Sequence, residues 1–486
     1  MATLSARLRS LPERHGRTVL ILLAAILALG FGLRAYRVVE PLETPGDDSR
    51  AYFALSKGLY EEGSYGAFLR DSSDWSPGAP LLYSAAYFAT GGAREGTARI
   101  VELLCGLGSI LLVYLLGRRL GAAMGGGVLA PRTGLLAAFA MAVYPPFIHS
   151  TGALFSEPPA MLTLPAAVLA FLWASGAGED RSSGGWRGAW GARPQPARTS
   201  TPAPRQDPPA RWLVPGLLFG LTALIRPEYL LVGAAFALLA AVRAAQQGGW
   251  KPGMAAAVLF AAALLLPIVP WTVRNAVVLD RLVPISTGGG KALYVGTYLP
   301  ADGEYQRVKA LLVERQLGRD LEPGSEALDR IDPTPLFDRV AERHPDLPRD
   351  EALGKIGKEN LYDYAGEDPL GYAAMTVRKV WRMWSGGVGE AMASGPGRVV
   401  QILIVALALL GLGLLATRRR VWETLAMATP IILVTAVGAI SLAAPRRNEI
   451  LMTLVFPLAA AALLWLAAAI SSGPPWRSTQ ASSRPS

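Results

Sequence analysis

Ten apolar runs, each close to the length of a membrane-spanning helix, constrain the fold of this chain more than any other feature of its sequence. A hydrocarbon layer of about 30 Å requires about 20 residues of helix to cross it, and only helices and closed barrels satisfy their backbone hydrogen bonds inside it. An eleventh run, at 79–90, is too short to cross and predicts an interfacial or re-entrant helix. We therefore predict an all-α polytopic membrane protein with about 10 to 11 transmembrane helices. The long runs lie at 18–36, 98–117, 131–148, 157–174, 211–227, 229–246, 254–273, 398–416, 423–443 and 448–470.

The composition supports this class. The chain has 486 residues, of which 51% are hydrophobic and 17% charged, with a mean hydropathy of +0.31. Soluble domains carry about 25% charged residues, so this chain has too few polar residues to cover a water-soluble globule. A single cysteine, Cys105, excludes an intramolecular disulfide, and three histidines far apart in sequence argue against a zinc site.

Arginine and lysine residues concentrate at alternate ends of the apolar runs. This distribution follows the positive-inside rule, so the net charge of +10 reflects orientation in the membrane and not a nucleic-acid partner. The rule places residues 1–17 in the cytoplasm and, after ten crossings, the tail at 471–486 as well. The first run ends without a small-residue cleavage site. We therefore expect a retained first span and a multi-pass protein of the inner membrane of the cell.

The hydrophilic segments between the runs define the expected domains. A membrane module at 18–273 contains a first outer loop at 37–97 and a cytoplasmic linker at 175–210. The linker is rich in Gly, Pro, Ser and Arg and has few aliphatic residues, so we expect it to be disordered, like the tail. Apolar residues at helical spacing predict a small helical extracytoplasmic subdomain at 274–397, and the last membrane helices follow at 398–470.

Several ends of the apolar runs place polar side chains on the same expected extracytoplasmic side. Ionisable groups at membrane depth are unfavourable unless they face a cavity or one another, so their convergence indicates a functional site. Guanidinium groups bind phosphate, and a carboxylate can take a proton from an attacking hydroxyl. The candidate residues are Asp47, Asp48, Glu157, Arg226, Glu228, Arg274, Asn275, Arg446, Arg447 and Glu449.

The order of several sequence strings resembles a known family. The first outer loop contains "GDDSRAYFALSKGLYEEGSY" followed by "SPGAPLLYSAAY". The later strings are "LFSEPPAML", "GLLFGLTALIRPEYLL", "PWTVRNAVVLDRLVPISTGGGKALYVGTY" and "PRRNEI". Together, over residues 18–470, they resemble the GT-C glycosyltransferases, in the branch of protein O-mannosyltransferases, aminoarabinose transferases and their bacterial relatives of glycosyltransferase family 39 type.

This resemblance implies a GT-C fold and a chemical activity. The activity is transfer of a sugar from a polyprenyl-phosphate donor to a lipid, glycan or protein acceptor at the outer face of the membrane, with inversion at the anomeric carbon. The resemblance makes Asp48 the general base, with Asp47 as its substitute or helper. It makes Glu157 a second acid that binds the acceptor or a metal ion.

The resemblance also assigns binding residues. Arg274 and either Arg446 or Arg447 would neutralise the phosphate of the lipid, and Arg226 would hold the donor or support the structure. Lys291 follows three glycines in "STGGGKALYVG", which contains no Walker pattern, and it is a candidate contact for the lipid phosphate. Further substrate-binding candidates are Tyr52, in "DSRAY", and Asn275.

Two points stay open from the sequence. The first is a divalent cation, Mg²⁺ or Mn²⁺, between Asp48 and Glu157, since hard cations prefer carboxylate oxygens. The second is donor recognition, because relatives often carry an arginine shortly before the "PG.P" element. This chain has Trp75 and Ser76 in "DWSPGAP" instead, and Arg70 is a candidate substitute.

Two other functions share these features. A transporter or flippase of lipid-linked glycan intermediates belongs to a different class of protein. Transporters tend to place charged sites near the bilayer midplane, often within repeated halves, whereas these charges lie at the ends of the runs and no repeat of fixed period is evident. A GT-C-like glycan ligase or polymerase would use the same kind of cavity, and the sequence does not exclude it.

Overall fold

The computed structural model describes residues 2–39, 47–68, 72–127, 129–177 and 208–471. Within these ranges the regular structure is helical, and no β-strand occurs. Arg70, most of the linker predicted at 175–210 and the tail after residue 471 lie outside the described residues.

The α-helices of the described ranges are numbered in chain order. The first half of the chain contains α1 (Ala2–Val39), α2 (Asp47–Glu61), α3 (Gly78–Thr90), α4 (Glu95–Gly125), α5 (Leu129–Val143), α6 (Pro145–Ser150), α7 (Glu157–Ala174), α8 (Leu213–Ile225), α9 (Tyr229–Gly248), α10 (Trp250–Leu265) and α11 (Ile268–Leu279). The second half contains α12 (Gly289–Thr297), α13 (Tyr305–Leu317), α14 (Glu326–Asp329), α15 (Thr334–Ala341), α16 (Arg349–Glu367), α17 (Pro369–Ser385), α18 (Glu390–Ala393), α19 (Gly395–Thr417), α20 (Val421–Ile440) and α21 (Pro445–Ser471). Short 3₁₀ helices lie at Ser72–Asp74, Pro209–Trp212 and Leu299–Ala301.

Seven of the described helices are long and apolar enough to cross a membrane, namely α1, α4, α7, α9, α19, α20 and α21. Helices α10 and α11 are bent by 49° and make an eighth crossing if they are counted as one broken span. The runs at 131–148 and 211–227 contain the shorter apolar helices α5 and α8, and the run at 79–90 forms α3. All ten long runs therefore fall on helices, and the prediction of an all-α polytopic membrane protein is confirmed.

The break between α5 and α6 redirects the chain at membrane depth. Pro145 and Pro146 follow the break, and neither has a backbone N–H. The carbonyls of Met141 and Ala142 therefore lose the donors that a continuous helix would give them. Arg34 of α1 replaces both donors, since its Nη2 donates to Met141 O at 3.0 Å and its Nη1 donates to Ala142 O at 3.0 Å. Because Arg34 is fully buried, its role in the span is to satisfy the interrupted helix.

The main hydrophobic core lies where α4, α5, α7 and α21 pack together. Helix α4 approaches α5 closely because glycines line the contact. A Cβ atom at Gly121 would lie 2.8 Å from Leu129 O, and one at Gly117 would lie 2.9 Å from Thr133 O. Small residues at such positions let two membrane helices come into backbone contact, so α4 forms a firm support for the polar end of the bundle.

Residues after α11 build a helical subdomain with its own core, formed mainly by α12, α13, α15 and α16. Lys379 of α17 fastens this subdomain to the membrane helices. Its Nζ donates to Gly296 O at 2.7 Å and to Ala439 O at 2.9 Å, so it joins the ends of α12 and α20. Members of the subdomain core include Tyr294, Val308, Phe337, Leu353 and Ile356.

A second contact ties the subdomain to the loop before α3. Arg349, the first residue of α16, pairs with Asp74, and the other oxygen of that carboxylate accepts a hydrogen bond from Thr287 Oγ1 at 2.8 Å. Beside this pair, Asp350 Oδ1 accepts a hydrogen bond from the Gly290 N–H at 2.7 Å. The start of α16 is therefore held by two neighbouring contacts, from Arg349 to Asp74 and from Gly290 to Asp350.

We expect Arg34→Met to destabilise the protein by roughly 2–6 kcal/mol, because two buried carbonyls lose their donors at about 1–3 kcal/mol each. The melting temperature and denaturant unfolding of the detergent-solubilised protein measure this effect. Arg17→Met is the matched control, since Arg17 is exposed on the same helix. Equal stability of the two variants would contradict the role given to Arg34.

Asp350 makes stability depend on pH. Burial raises the pKa of Asp350 from 3.8 to about 6, and the negative charge of Asp74 adds to the rise. The hydrogen bond from Gly290 and the positive charge of Arg281 both act to lower this pKa. The folded state therefore binds this proton more tightly than the unfolded state does. The resulting contribution to stability is fully present below the unfolded pKa and is lost as the pH rises through about 6.

We therefore expect the melting temperature of the wild type to fall relative to Asp350→Asn between about pH 4 and about pH 7. The asparagine keeps an oxygen that can accept from Gly290 but carries no charge at either pH. Asp346→Asn serves as the control, because Asp346 is exposed in the same subdomain. A difference between wild type and Asp350→Asn that stays constant across this pH range would overturn the assignment.

Candidate active site

Four charged side chains from distant parts of the sequence meet at one end of the helical bundle. Asp48 lies in the first turn of α2, and Glu157 is the first residue of α7. Arg226 directly follows α8, and Arg446 lies in the first turn of α21. We call these four residues the ion cluster.

Arg446 bridges the two carboxylates of the ion cluster. Its Nε donates to Glu157 Oε1 at 2.9 Å, and its Nη1 donates to Asp48 Oδ2. Arg226 Nη2 donates to the same oxygen of Glu157. The Glu157 side chain is fully buried, whereas the side chains of Asp48 and Arg446 are 30% and 35% exposed. The ion cluster is therefore accessible from its Asp48 side.

Both acids of the ion cluster occupy helix N-termini, where the helix dipole stabilises negative charge. Glu157 is followed by Pro158, a residue favoured in the first turn because the N–H there has no partner within the helix. Burial acts to lower the pKa of Arg226, but the Glu157 and Glu228 carboxylates raise it above its ordinary value. The buried acid thus has a firmly charged partner, as a buried charge requires.

A third carboxylate, Glu102 of α4, shapes the turn between α6 and α7. It is fully buried, and its oxygens accept hydrogen bonds from the backbone N–H groups of Gly152 at 2.7 Å, Leu154 at 3.1 Å and Phe155 at 2.6 Å. The Tyr83 hydroxyl donates to it at 2.8 Å. Three amide groups of the non-helical turn are therefore satisfied by one side chain.

This turn connects Glu102 to the ion cluster. The Phe155 ring lies against the Arg446 guanidinium, with 4.6 Å between Cζ and the ring centroid, a distance typical of a cation–π contact. Sequence reasoning did not select Glu102, although an isolated glutamate within the apolar run at 98–117 signals a buried partner. Through Phe155, Glu102 helps to fix the position of Arg446.

Three polar residues continue α21 behind the ion cluster. Arg447 Nη1 donates to Ser441 Oγ at 3.2 Å, which ties it to the end of α20. Asn448 Nδ2 donates to Gly386 O at 3.1 Å, just after α17. Glu449 is 2% exposed, and its Oε1 accepts no hydrogen bond from the described residues. Arg447 therefore belongs to the anchoring of α21 and does not join the bridge.

Tyr52 borders the ion cluster. Its ring is buried and packs edge-on against Trp75, with ring centroids 5.3 Å apart. Burial raises the pKa of Tyr52 to about 12, with the charge of Arg226 opposing the rise and that of Asp48 adding to it. The phenol is therefore neutral at physiological pH and can take part in hydrogen bonds, but it is not a base.

Arg274 and Asn275 form a second polar group beside the ion cluster. The Arg274 guanidinium lies over the rings of Tyr65, at 5.6 Å, and Trp271, at 5.0 Å. It also donates to Asn275 Oδ1 at 3.0 Å, and Asn275 in turn donates to backbone carbonyls of the loop after α11. The Tyr65 hydroxyl donates to Trp75 O at 3.1 Å, and the Trp75 ring packs on Tyr52, so aromatic residues connect this group to Tyr52.

A further candidate, Lys291, is not part of the ion cluster. Lys291 lies in α12 of the subdomain, where its ammonium group is 5.1 Å from the Phe337 ring centroid and 5.6 Å from that of Tyr305. Asp47 is the first residue of α2, but its side chain lies outside the described part of the chain. The structure therefore brings together Asp48, Glu157, Arg226 and Arg446 and leaves Lys291 in a separate core.

The donor set between Asp48 and Glu157 does not fit a divalent cation. Such ions take six or more oxygen ligands at about 2.0–2.6 Å, but here the guanidinium of Arg446 fills the space between the two carboxylates. In the part of the chain that the structure describes, no group of three or more His, Cys, Asp or Glu side chains could hold a metal ion. The prediction of Mg²⁺ or Mn²⁺ at this place is therefore not supported.

Comparison with known proteins gives similarity of fold. No protein-family model and no curated protein sequence matches the chain. The apo crystal structure of the Archaeoglobus fulgidus oligosaccharyltransferase aligns with a TM-score of 0.52 and 17% sequence identity, over 94% of this chain and 52% of that chain. The archaeal oligosaccharyltransferase AglB from Archaeoglobus fulgidus, in complex with an inhibitory peptide and a dolichol-phosphate, aligns with a TM-score of 0.49 and 16% identity, over 96% of this chain and 52% of that chain.

The chain thus spans about half the length of the oligosaccharyltransferase it resembles. At this identity the likeness is one of fold, and the expected GT-C fold of a polytopic membrane protein is confirmed. The narrower resemblance to protein O-mannosyltransferases and aminoarabinose transferases stays a prediction.

We expect Glu102→Gln to loosen the turn between α6 and α7. Glutamine has one acceptor oxygen, and its amide N–H₂ would face backbone N–H donors, so at least one pair of hydrogen bonds is lost at about 1–3 kcal/mol. Hydrogen exchange of peptides covering residues 150–156, read by mass spectrometry, should become roughly 5- to 150-fold faster. The matched control is Glu95→Gln on the same helix, where Glu95 pairs with Arg99 near the surface. Unchanged exchange in Glu102→Gln would refute the positioning role.

Proposed function

We propose that this protein is a membrane glycosyltransferase. It transfers a hexosyl or pentosyl unit from a polyprenyl-phosphate donor to a lipid, glycan or protein acceptor at the extracytoplasmic face of the membrane. The observation that carries the proposal is the meeting of Asp48, Glu157 and Arg446 at one accessible end of a GT-C fold. A solved protein of similar fold is an oligosaccharyltransferase, which supports glycosyl transfer as the class of reaction.

Asp48 is the general base in this proposal. Its side chain is 30% exposed, whereas Glu157 is fully buried, so an entering acceptor meets Asp48 first. The acceptor oxygen bonds to the anomeric carbon while the bond from that carbon to the phosphate oxygen breaks. The proton of the acceptor passes to Asp48, and polyprenyl phosphate leaves with the bonding electron pair. A single displacement of this kind inverts the anomeric configuration.

Glu157 has a positioning role in the proposed reaction. It is buried and accepts hydrogen bonds from both Arg226 and Arg446. Those contacts hold the Arg446 guanidinium where it can pair with Asp48. Because Arg446 is 35% exposed, it remains accessible to charge that develops on the leaving phosphate, a form of stabilisation that is often large.

Arg274 is the proposed main contact for the phosphate of the lipid donor. No carboxylate of the described residues forms an ion pair with it, and its guanidinium is held by Tyr65 and Trp271. It lies on α11, where the neighbouring side chains of Val273 and Val277 are 57% and 79% exposed. An exposed apolar face beside an arginine suits a ligand that has a hydrocarbon chain and an anionic head.

The alternatives make different demands on these residues. A transporter or flippase of lipid-linked glycans would place its charged groups near the bilayer midplane, and the ion cluster instead lies at the ends of helices. A glycan ligase or polymerase would use the same cluster with a larger donor. The occurrence of any sugar transfer therefore distinguishes the proposal from a transporter or flippase. The size of the transferred glycan distinguishes it from a ligase or polymerase.

We expect Asp48→Asn to slow sugar transfer by about 10²–10⁴-fold, because the general base is lost while the shape of the side chain is kept. The assay uses purified protein in detergent with a panel of polyprenyl-phosphate sugars and lipid, glycan and peptide acceptors, and it measures release of polyprenyl phosphate. Asp47→Asn is the matched neighbour and should retain most of the wild-type rate.

Melting temperatures of both variants show whether either change acts through folding. If Asp47→Asn loses the rate and Asp48→Asn keeps it, the two assignments are exchanged. If wild-type protein transfers no sugar from any monosaccharide donor but accepts a polyprenyl-linked oligosaccharide, the ligase alternative replaces the proposal.

A further inference from the structure

We infer that Arg446 occupies the place of a divalent cation, so that the ion cluster works as a cation site whose positive charge is built into the chain. The chemistry of this inference rests on the proposed function, since it concerns the same site. Its physical core is separate, because it states that the wild-type protein binds no divalent ion between Asp48 and Glu157 and that the absence of Arg446 would create such a site.

The hydrogen-bond pattern of Arg446 supports this inference. An arginine that simply neutralises one acid usually places two of its nitrogens on a single carboxylate. Here Nε donates to Glu157 at 2.9 Å and Nη1 donates to Asp48, so one guanidinium connects two different acids. A metal ion that bridges two carboxylates has the same connectivity.

The charge balance of the ion cluster leads to the same conclusion. Two carboxylates, Asp48 and Glu157, face two guanidinium groups, Arg226 and Arg446, and these four charges sum to zero. A divalent ion added to this set would bring an uncompensated double positive charge beside the fully buried Glu157. Burying unpaired charge is strongly unfavourable, so the wild-type cluster has no capacity for a cation.

The surroundings of Arg446 hold it in this place. The Phe155 ring lies against the guanidinium, and Phe155 is itself fixed by the hydrogen bond from its backbone N–H to Glu102. Asn448, two residues further along α21, donates to the end of α17. The side chain is therefore held by the Phe155 ring in addition to its two ion pairs, while Glu102 of α4 positions Phe155 and the end of α17 anchors α21.

The consequence for chemistry is a fixed cation that needs no metal to be bound before reaction. A guanidinium is always protonated in proteins and offers directed N–H donors to an anion. Developing charge on a leaving phosphate would therefore meet Arg446 whatever the divalent ion concentration. Chelation of metal ions would not affect this residue.

Binding of Mn²⁺ to the full-length protein in detergent, measured by electron paramagnetic resonance of the free ion, tests the inference without any donor or acceptor. We expect no Mn²⁺ in the ion cluster of the wild type and one Mn²⁺ per chain in Arg446→Ala, lost again in Arg446→Ala combined with Glu157→Gln. Arg446→Gln is a second variant, whose shorter and uncharged side chain leaves the space between the two acids open, and it should also gain the ion if the alanine variant does not fold. Arg378→Ala is the matched control, because it removes one of the two arginines that pair with Asp302 in the subdomain and should gain none.

Three results would overturn the inference. One is a tightly bound Mn²⁺ in the wild type that disappears in Asp48→Asn. A second is folded Arg446→Ala or Arg446→Gln protein that binds no Mn²⁺, because Asp48 and Glu157 would then not form a cation site in the absence of the arginine. In the transfer assay, EDTA should leave the wild-type rate unchanged, and a rate lost with EDTA and restored by Mn²⁺ would also overturn it. Absence of transfer under all conditions counts against the proposed function alone, because the binding result is independent of it.

Discussion

The bridge that Arg446 makes between Asp48 and Glu157 joins the N-terminal ends of α2, α7 and α21, and Arg226 adds the end of α8. Charges buried at a helix end must be paired, and removing one partner of a buried pair costs about 3–5 kcal/mol. The ion cluster is therefore a structural junction as well as the accessible polar site. For this reason, a substitution in the ion cluster can change the activity either through folding or through the chemistry of the site. Substitutions that keep the shape of the side chain are the most informative, because they disturb folding least.

The same physical rule explains the irregular backbone that leads to the cluster. Non-helical backbone at membrane depth survives only where its polar groups find partners within the protein. Arg34 donates to two carbonyls that Pro145 and Pro146 leave without donors, and Glu102 accepts from the amide groups of the next turn. One buried cation and one buried anion thus permit the chain to leave the helical path before Glu157.

Much of the fold could be predicted from the sequence, because membrane helices are encoded locally in apolar runs, and all ten runs are helical. The convergence of Asp48, Glu157, Arg226 and Arg446 followed from the topology. What the sequence could not supply is partner choice. The pairing of Arg446 with two acids depends on packing among helices far apart in the chain, and so does the stacking of Lys291 on Phe337 in the subdomain. Glu102 and Arg34 carry a readable signal, a lone charge in an apolar run, but their backbone partners lie in turns that apolar periodicity does not predict.

The electrostatic balance of the site separates the tasks of its arginines. Arg226 and Arg446 are matched by two carboxylates, and Arg447 is tied to Ser441 and lies within range of the charge of Glu228. Arg274 instead has aromatic neighbours and no ion pair with a carboxylate of the described residues. A phosphate that approached the neutral ion cluster would have to compete with Asp48 for Arg446, whereas at Arg274 it would meet an unbalanced positive charge on a helix with exposed apolar side chains. In the proposed reaction, the phosphate of a lipid donor would therefore have its most favourable position at Arg274.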